Sequence, residues 1–336
     1  MRVRWSIFFA AVVLAVACAK EETSAPDPDE PFVVNMPLGA PLLPVPEANA
    51  LTHARVSLGK ALFFDERLSL GNGLSCASCH HTSNAFSDTV ALSAGAGGAI
   101  GLRNAPSLGN VAWQVALFAD GGIPTLEQQV LAPLHDELEM ASNINTAAEQ
   151  LRTVEPFASL SRKGYGRVLD GFVITRALAS YERTLVSGWS RFDRYVYEGD
   201  ANALTESERN GWELFNSKQC GACHSGHNFS DYSYRNIGSG SDLEADPGRQ
   251  RITLNVGDRG KFKVPTLRNI SLTAPYLHDG SMETLSEVID HFNSGGNTDQ
   301  NKDALLVPLE LTDQNKQDLT AFLLTLTDTR SLDQVP

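Results

Sequence analysis

Two short segments of this chain repeat one set of sulfur and nitrogen groups at one spacing: Cys76-Ala77-Ser78-Cys79-His80 and Cys220-Gly221-Ala222-Cys223-His224. Two thiols three positions apart, followed at once by an imidazole, form the arrangement that fixes haem covalently. Each thiol adds to a vinyl group, and the adjacent ring is placed to bind the iron from one side. His80 and His224 are therefore the expected proximal ligands, and two covalent haems c the expected cofactors, held through Cys76, Cys79, Cys220 and Cys223. Zinc would want four ligands closing a tetrahedron, and further Cys or His are poorly spaced for that. A redox dithiol has no need of the trailing His.

What sits on the second face of each iron decides its work. A second strong ligand makes an electron carrier, and an open face admits peroxide or oxygen. The remaining histidines are His53, His81, His135, His227, His278 and His291; the methionines are Met1, Met36, Met140 and Met282. Spacing alone selects no sixth ligand among them.

The elements that must position these groups are duplicated. Gly59-Lys60-Ala61-Leu62-Phe63 precedes the first motif and Gly211-Trp212-Glu213-Leu214-Phe215 the second, both reading as the end of an amphipathic helix. Thr205 and Glu208 form a capping box for the second helix. Pro106, Asp120 and Thr125 recur as Pro265, Asp279 and Thr284, each pair 159 residues apart, a register that chance rarely keeps. Residues 175–185 and the apolar set Leu319, Phe322, Leu323 and Leu326 predict further helices. Strand signals are few, around 251–256 and 262–264. The expected fold is mainly α, with two tandem cytochrome c-like haem domains, irregular loops and minor β. Gly199-Asp200-Ala201-Asn202 is the expected boundary, giving domains over 47–199 and 200–336, the last helix able to pack back on the first.

Of five cysteines, four are consumed by the motifs, and the fifth, Cys18, ends an N-terminal stretch that reads as an export signal. Arg2 and Arg4 start it, Trp5 to Ala17 supply its apolar core, and Leu14-Ala15-Val16-Ala17-Cys18 is close to a bacterial lipobox. Cleavage near Ala17 or Ala19 is the alternative to lipidation of Cys18. Residues 19–46, rich in Pro, Asp and Glu, predict a flexible tether. An exported, periplasmic, lipid-anchored protein follows, touching the membrane only through that anchor. The net charge of -13 disfavours nucleic acid and suits a donor with a basic face.

Taken together, LGKALFFDERLS, CASCHH, RNAPSLGN, TLEQQVLAPLHDELEM, SYERTLVSG, CGACHSG and KFKVPTLRNISLTAPYLHDGS resemble the bacterial dihaem cytochrome c peroxidase and MauG superfamily from about Val56 onward. The resemblance implies that the N-terminal haem meets peroxide and the C-terminal haem relays electrons. It places the distal acid on Glu139 and the distal amide on Gln129. Members that close the first haem use a His in the loop over 93–102, where this chain has none and Ala96 aligns, which implies an open first iron. The family's calcium ligands map onto Asn104 and the carbonyls of Thr273 and Pro275. His278 is expected to hydrogen-bond near a haem.

Two departures stand out. The sixth-ligand position of the second haem aligns with Phe292, which cannot ligate, leaving His291 or an open or water-bound iron. The aromatic between the haems aligns with Ala119, beside Phe118, with Trp113 as a substitute or as core. Three functions follow from the resemblance. The first is an exported peroxidase that turns hydrogen peroxide into water with electrons from a small cytochrome c or cupredoxin. The second is a MauG-like enzyme that oxidises Trp or Tyr of a partner protein. The third is an electron-transfer or sensor protein without turnover.

Overall fold

The computed structural model describes residues 30–240 and 242–335; the export segment with Cys18, and the tether as far as residue 29, lie outside them. Eleven helices are described: α1 (His53–Phe63), α2 (Leu126–Gln129), α3 (Leu131–His135), α4 (Ile144–Leu151), α5 (Phe157–Tyr165), α6 (Gly171–Glu182), α7 (Arg191–Tyr197), α8 (Glu206–Ser217), α9 (Gln250–Thr253), α10 (Leu285–Ser294) and α11 (Asp313–Leu324). One ribbon pairs β1 (Tyr234–Arg235) antiparallel with β2 (Phe262–Lys263). The chain is mainly helical, as its patterning predicts.

The helices that precede the two Cys-x-x-Cys-His turns are each locked to one partner by a glycine. In α1, a Cβ on Gly59 would lie 1.9 Å from the Ala177 carbonyl oxygen of α6. In α8, a Cβ on Gly211 would lie 1.9 Å from the Asp318 carbonyl oxygen of α11. Only glycine permits such backbone contact. The correspondence continues beyond the glycines. The Asn110 N–H donates to Leu185 and the Asn269 N–H to Leu326, at 2.8 and 3.1 Å. Asn110 Oδ1 accepts from the Ser187 N–H and Asn269 Oδ1 from the Asp328 N–H. Ala177 and Asp318, Leu185 and Leu326, and Ser187 and Asp328 are each 141 residues apart. The duplication is thus a packing duplication.

Two apolar cores result. One gathers α1, α4 and α6 around Leu58, Leu62, Phe63, Val173 and Leu178; the other gathers α8 and α11 around Phe215, Leu319, Phe322 and Leu326. Phe192 of α7, ahead of the Gly199–Asn202 turn, already packs in the second core. Helix α11 stays with α8, and the segment after it returns to the first core through Leu332 and Val335.

Ion pairs bolt the halves together. Arg103 pairs with the buried Asp120 at 2.8 Å and, across the seam, with Asp246 at 2.7 Å, while Arg251 reaches Asp120 at 2.6 Å.

Two expectations fail. The flexible tether is docked over residues 30–46: Val34 is buried, Phe32, Met36 and Leu43 pack on the first core, and the Trp113 indole N–H donates to the Leu42 carbonyl. Its scattered apolar residues outweigh the Pro and acidic composition. The strand signal over 251–256 is a helical turn, α9, followed by the start of a 3-10 turn at Val256–Asp258. Its alternating Ile252, Leu254 and Val256 are 44%, 84% and 74% exposed, so no buried face exists to hold a strand. The signal over 262–264 does become β2.

Candidate functional site

Each Cys-x-x-Cys-His segment folds as one tight turn. The His80 N–H donates to the Cys76 carbonyl at 3.0 Å, and the His224 N–H to the Cys220 carbonyl at 2.9 Å. All four cysteines are free and partly buried. Burial pushes the Cys76 thiol up to about 12 and that of Cys220 up to about 11, keeping both as thiols rather than thiolate ligands. Among the described residues no group of three or more His, Cys, Asp or Glu assembles, so neither dithiol is completed into a tetrahedral set.

The imidazoles are tautomer-fixed. His80 Nδ1 lies 2.8 Å from the Phe86 carbonyl oxygen, and His224 Nδ1 lies 3.0 Å from that of Phe229. A carbonyl can only accept, so Nδ1 carries the hydrogen and Nε2 presents its lone pair, the form that ligates iron. Desolvation holds both rings neutral, below the ordinary imidazole range. Phe86 and Phe229 achieve this in the left-handed region, with φ of 60° and 49°. A bulky residue is strained there, and twin strain at twin histidines marks positions built for function. Phe63 and Tyr181 surround Phe86, as Phe215 and Phe322 surround Phe229. Two unpaired thiols, a half-buried imidazole with its Nε2 lone pair free and an aromatic cage fit a covalent haem at each turn.

Gln129 ends α2, which Thr125 caps by accepting the Gln128 N–H. Glu139 lies in the turn after α3, whose N–H donates to the Asp136 carbonyl. Burial raises the Cys79 thiol, and the Glu139 charge adds to that rise. Glu139 reaches solvent, yet protein walls enough of its carboxyl that desolvation, with Asp136 next, raises it above the ordinary range. Among the described residues no hydrogen bond joins Gln129 to Glu139. The loop over 93–102 closes on the same turn: the Ala96 N–H donates to the Glu139 carbonyl at 2.6 Å, and a Cβ on Gly95 would lie 2.0 Å from the Leu138 carbonyl oxygen. Ala96 therefore stands at the Glu139 backbone, bringing no imidazole.

Asn104 spends its Nδ2 hydrogens on the Val90 and Ala91 carbonyls, at 3.0 and 3.2 Å. Its Oδ1 and the carbonyls of Thr273 and Pro275 accept no hydrogen bond among the described residues. The Asn104 N–H donates to the His278 carbonyl, tying these two stretches together. Hard, unspent oxygens of this kind suit calcium. His278 itself stacks on Phe262, ring centroids 3.6 Å apart.

On α10, His291 Nε2 is 3.0 Å from the Ile237 carbonyl, engaged with a backbone acceptor, and Phe292 packs edge-on against it. Ala119 lies on the seam, its carbonyl accepting the Lys263 N–H at 2.7 Å; Trp113 sits 6.4 Å from the His227 ring. Sequence reasoning missed the Phe262–His278 stack and the Arg103–Asp120–Asp246 cluster, although the repeat of Asp120 as Asp279 marked that stretch.

A family described as di-haem cytochrome c peroxidase matches residues 53–202. The chain is 37% identical to a methylamine utilization protein MauG of Methylorubrum extorquens, over 84% of this chain and 81% of that one. It is 36% identical to a cytochrome c551 peroxidase of Nitrosomonas europaea, over 76% and 77%. A crystal structure of a MauG-like protein associated with microbial copper homeostasis superposes with a TM-score of 0.84 at 33% identity, over 90% of this chain and 97% of that one.

Proposed function

The chain belongs to the dihaem cytochrome c peroxidase family that includes MauG, and from that premise we propose that it is an exported enzyme reducing hydrogen peroxide to water with electrons from a small cytochrome c or cupredoxin. It is a peroxidase-type oxidoreductase. One haem is held by Cys76, Cys79 and His80 and the other by Cys220, Cys223 and His224. Haem bound at the first turn would supply the redox chemistry for peroxide reduction.

Glu139 carries this reading, as the carboxylate on the turn that the 93–102 loop closes upon through the Ala96 N–H. It takes the proton of the nearer peroxide oxygen and returns it to the departing one, so that water leaves instead of hydroxide. Gln129 orients the peroxide through its amide. His80 keeps its neutral tautomer through Phe86. A calcium ion held by Asn104, Thr273 and Pro275 stiffens the contact between the halves. The segment before residue 30 directs export and, through Cys18, lipid anchoring in the periplasm; among the described residues no helix is long and apolar enough to cross a membrane.

A second reading keeps the chemistry and changes the reductant, withdrawing electrons from Trp or Tyr of a partner protein. The absence of a His over 93–102 favours it, since that loop would offer no imidazole to close the second face of a haem held at His80. Anaerobic titration of the diferric protein with peroxide decides between them. Conversion of both haems by one equivalent without reductant supports the MauG-like role. A reaction that waits for reduction of one haem supports the conventional peroxidase, and no reaction in either state overturns both.

A further inference from the structure

Helices α6 and α11 pack in one register but share few residue types, and one of their differences is a buried polar pair. Ala177, Leu178, Thr184 and Leu185 of the first match Asp318, Leu319, Thr325 and Leu326 of the second, 141 residues on. Even the Thr184 and Thr325 hydroxyls make the same bond, to the carbonyls of Tyr181 and Phe322. Between them, however, Tyr181-Glu182 stands where the second half has Phe322-Leu323. Apolar packing therefore does not require the polar pair.

Glu182 is 6% exposed, and its Oε2 has no hydrogen-bond partner among the described residues. Arg183 makes no hydrogen bond to it and offsets its charge only in part, because both guanidinium ends are spent on Glu127 at 2.8 and 2.9 Å, with Asn49 adding a third bond to that carboxylate. The charged and titratable groups around Glu182 are Arg183 on its own helix, Glu127 on α2, Cys76 on the haem turn and the neighbouring Tyr181. A buried, unpaired carboxyl is costly. Burial pushes it up to about 8, so it changes charge near physiological pH.

We propose that Glu182 is the proton-exchanging carboxyl of the first haem site, protonated when that site gains an electron and deprotonated when it loses one, while the second site, with Leu323 in its place, exchanges none. The balance is one electron from the donor protein and one proton from solvent. The proton leaves a solvent hydronium ion, whose O–H bond breaks to release water, and bonds to a Glu182 carboxylate oxygen, so the buried site gains no net charge. The inference rests on the haem reading of the His80 turn, and it gives peroxide reduction, which consumes protons with its electrons, an internal acid that Glu139 does not supply.

Spectroelectrochemical titration of the full-length dihaem protein, from about pH 6 to about pH 10, tests it. One of the two haem potentials falls as pH rises, by up to tenfold in the redox equilibrium per pH unit, about 59 mV for one electron; the other stays flat. Glu182→Gln abolishes the slope, and Glu182→Asp retains it. In the unmodified protein, the reduced-minus-oxidised infrared spectrum gains a protonated-carboxyl band. Two flat potentials, a slope that survives Glu182→Gln, or no such band overturns the proposal. A haem content other than two per chain overturns the underlying reading instead, and the proposal with it.

Discussion

Gly59 faces Ala177 across the α1–α6 contact so closely that a methyl group on Gly59 would lie 1.9 Å from the Ala177 carbonyl oxygen. Backbone on both sides leaves nothing flexible to give way. Gly59→Ala is expected to separate the two helices and destabilise the first core by about 3 kcal/mol or more. Gly73→Ala, with nothing within 4 Å of the added carbon, is expected to be near neutral. Thermal unfolding of the two variants checks the contrast, at about 2 °C or more per kcal/mol for a chain of this size.

Glu139 must be ionised to take a proton from peroxide. Its carboxyl is raised above the usual 4.5, first by desolvation and then by Asp136. Activity should therefore fall with decreasing pH through that raised value, earlier than an ordinary carboxylate would allow. Asp136→Asn removes the like charge, so Glu139 titrates lower and the acid limb of kcat/KM moves to lower pH. Desolvation remains, so the move is partial. Glu139→Gln is expected to cost about 10²- to 10⁴-fold in kcat/KM for peroxide, with haem content unchanged.

Asp120 is 1% exposed and holds Arg103 and Arg251, one of them also tied to Asp246. Removing it strands positive charge at the seam, so Asp120→Ala should cost about 3–5 kcal/mol. The pH dependence has a definite sign. The Arg103 guanidinium holds the Asp120 and Asp246 carboxyls below their ordinary 3.8. Their contribution is present above that value and is lost as pH falls through the lower folded value. Denaturant titrations at neutral and strongly acidic pH should show the variant converging on the parent at the acid end.

Calcium removal tests Asn104. Elemental analysis should find one calcium per chain in the parent and none in Asn104→Ala at equal calcium activity. Of the three proposed ligands only Asn104 offers a side chain, so deleting it should weaken binding by about tenfold or more, near 1.4 kcal/mol. Equal content in both proteins would remove Asn104 from the ligand set.

Much of this was legible because covalent chemistry has rigid spacing. Cys-x-x-Cys-His cannot be spread out and still hold haem, and capping pairs such as Thr205 with Glu208 act within a single turn. The constant register of Pro106 and Pro265 likewise reported duplication before any contact was known. Other features depend on what a residue meets far along the chain. Ile252, Leu254 and Val256 alternate like a strand, but the fold supplies no core beneath them. Residues 30–46 read as a tether because composition hides that Phe32, Val34 and Met36 find a groove. Glu182 looked like one charge in SYERTL; only the packing of α6 and the diversion of Arg183 to Glu127 show it buried and unpaired.

The end of the chain closes the first half although it leaves from the second. Leu332 and Val335 are buried in the first core, Lys60 of α1 pairs with Asp333 at 3.2 Å, and the Gln334 side chain exchanges two hydrogen bonds with the Asn35 backbone. Deleting residues 331–336 exposes two apolar side chains' worth of core, about 3–6 kcal/mol at 1.5–3 kcal/mol each. The part-exposed Lys60 pair adds little. The loss should be local. Hydrogen exchange is expected to rise in α1, α6 and residues 30–46, while α8 and α11, which the tail does not touch, keep their protection. Equal loosening of both helix pairs would show instead that the two cores unfold as one unit.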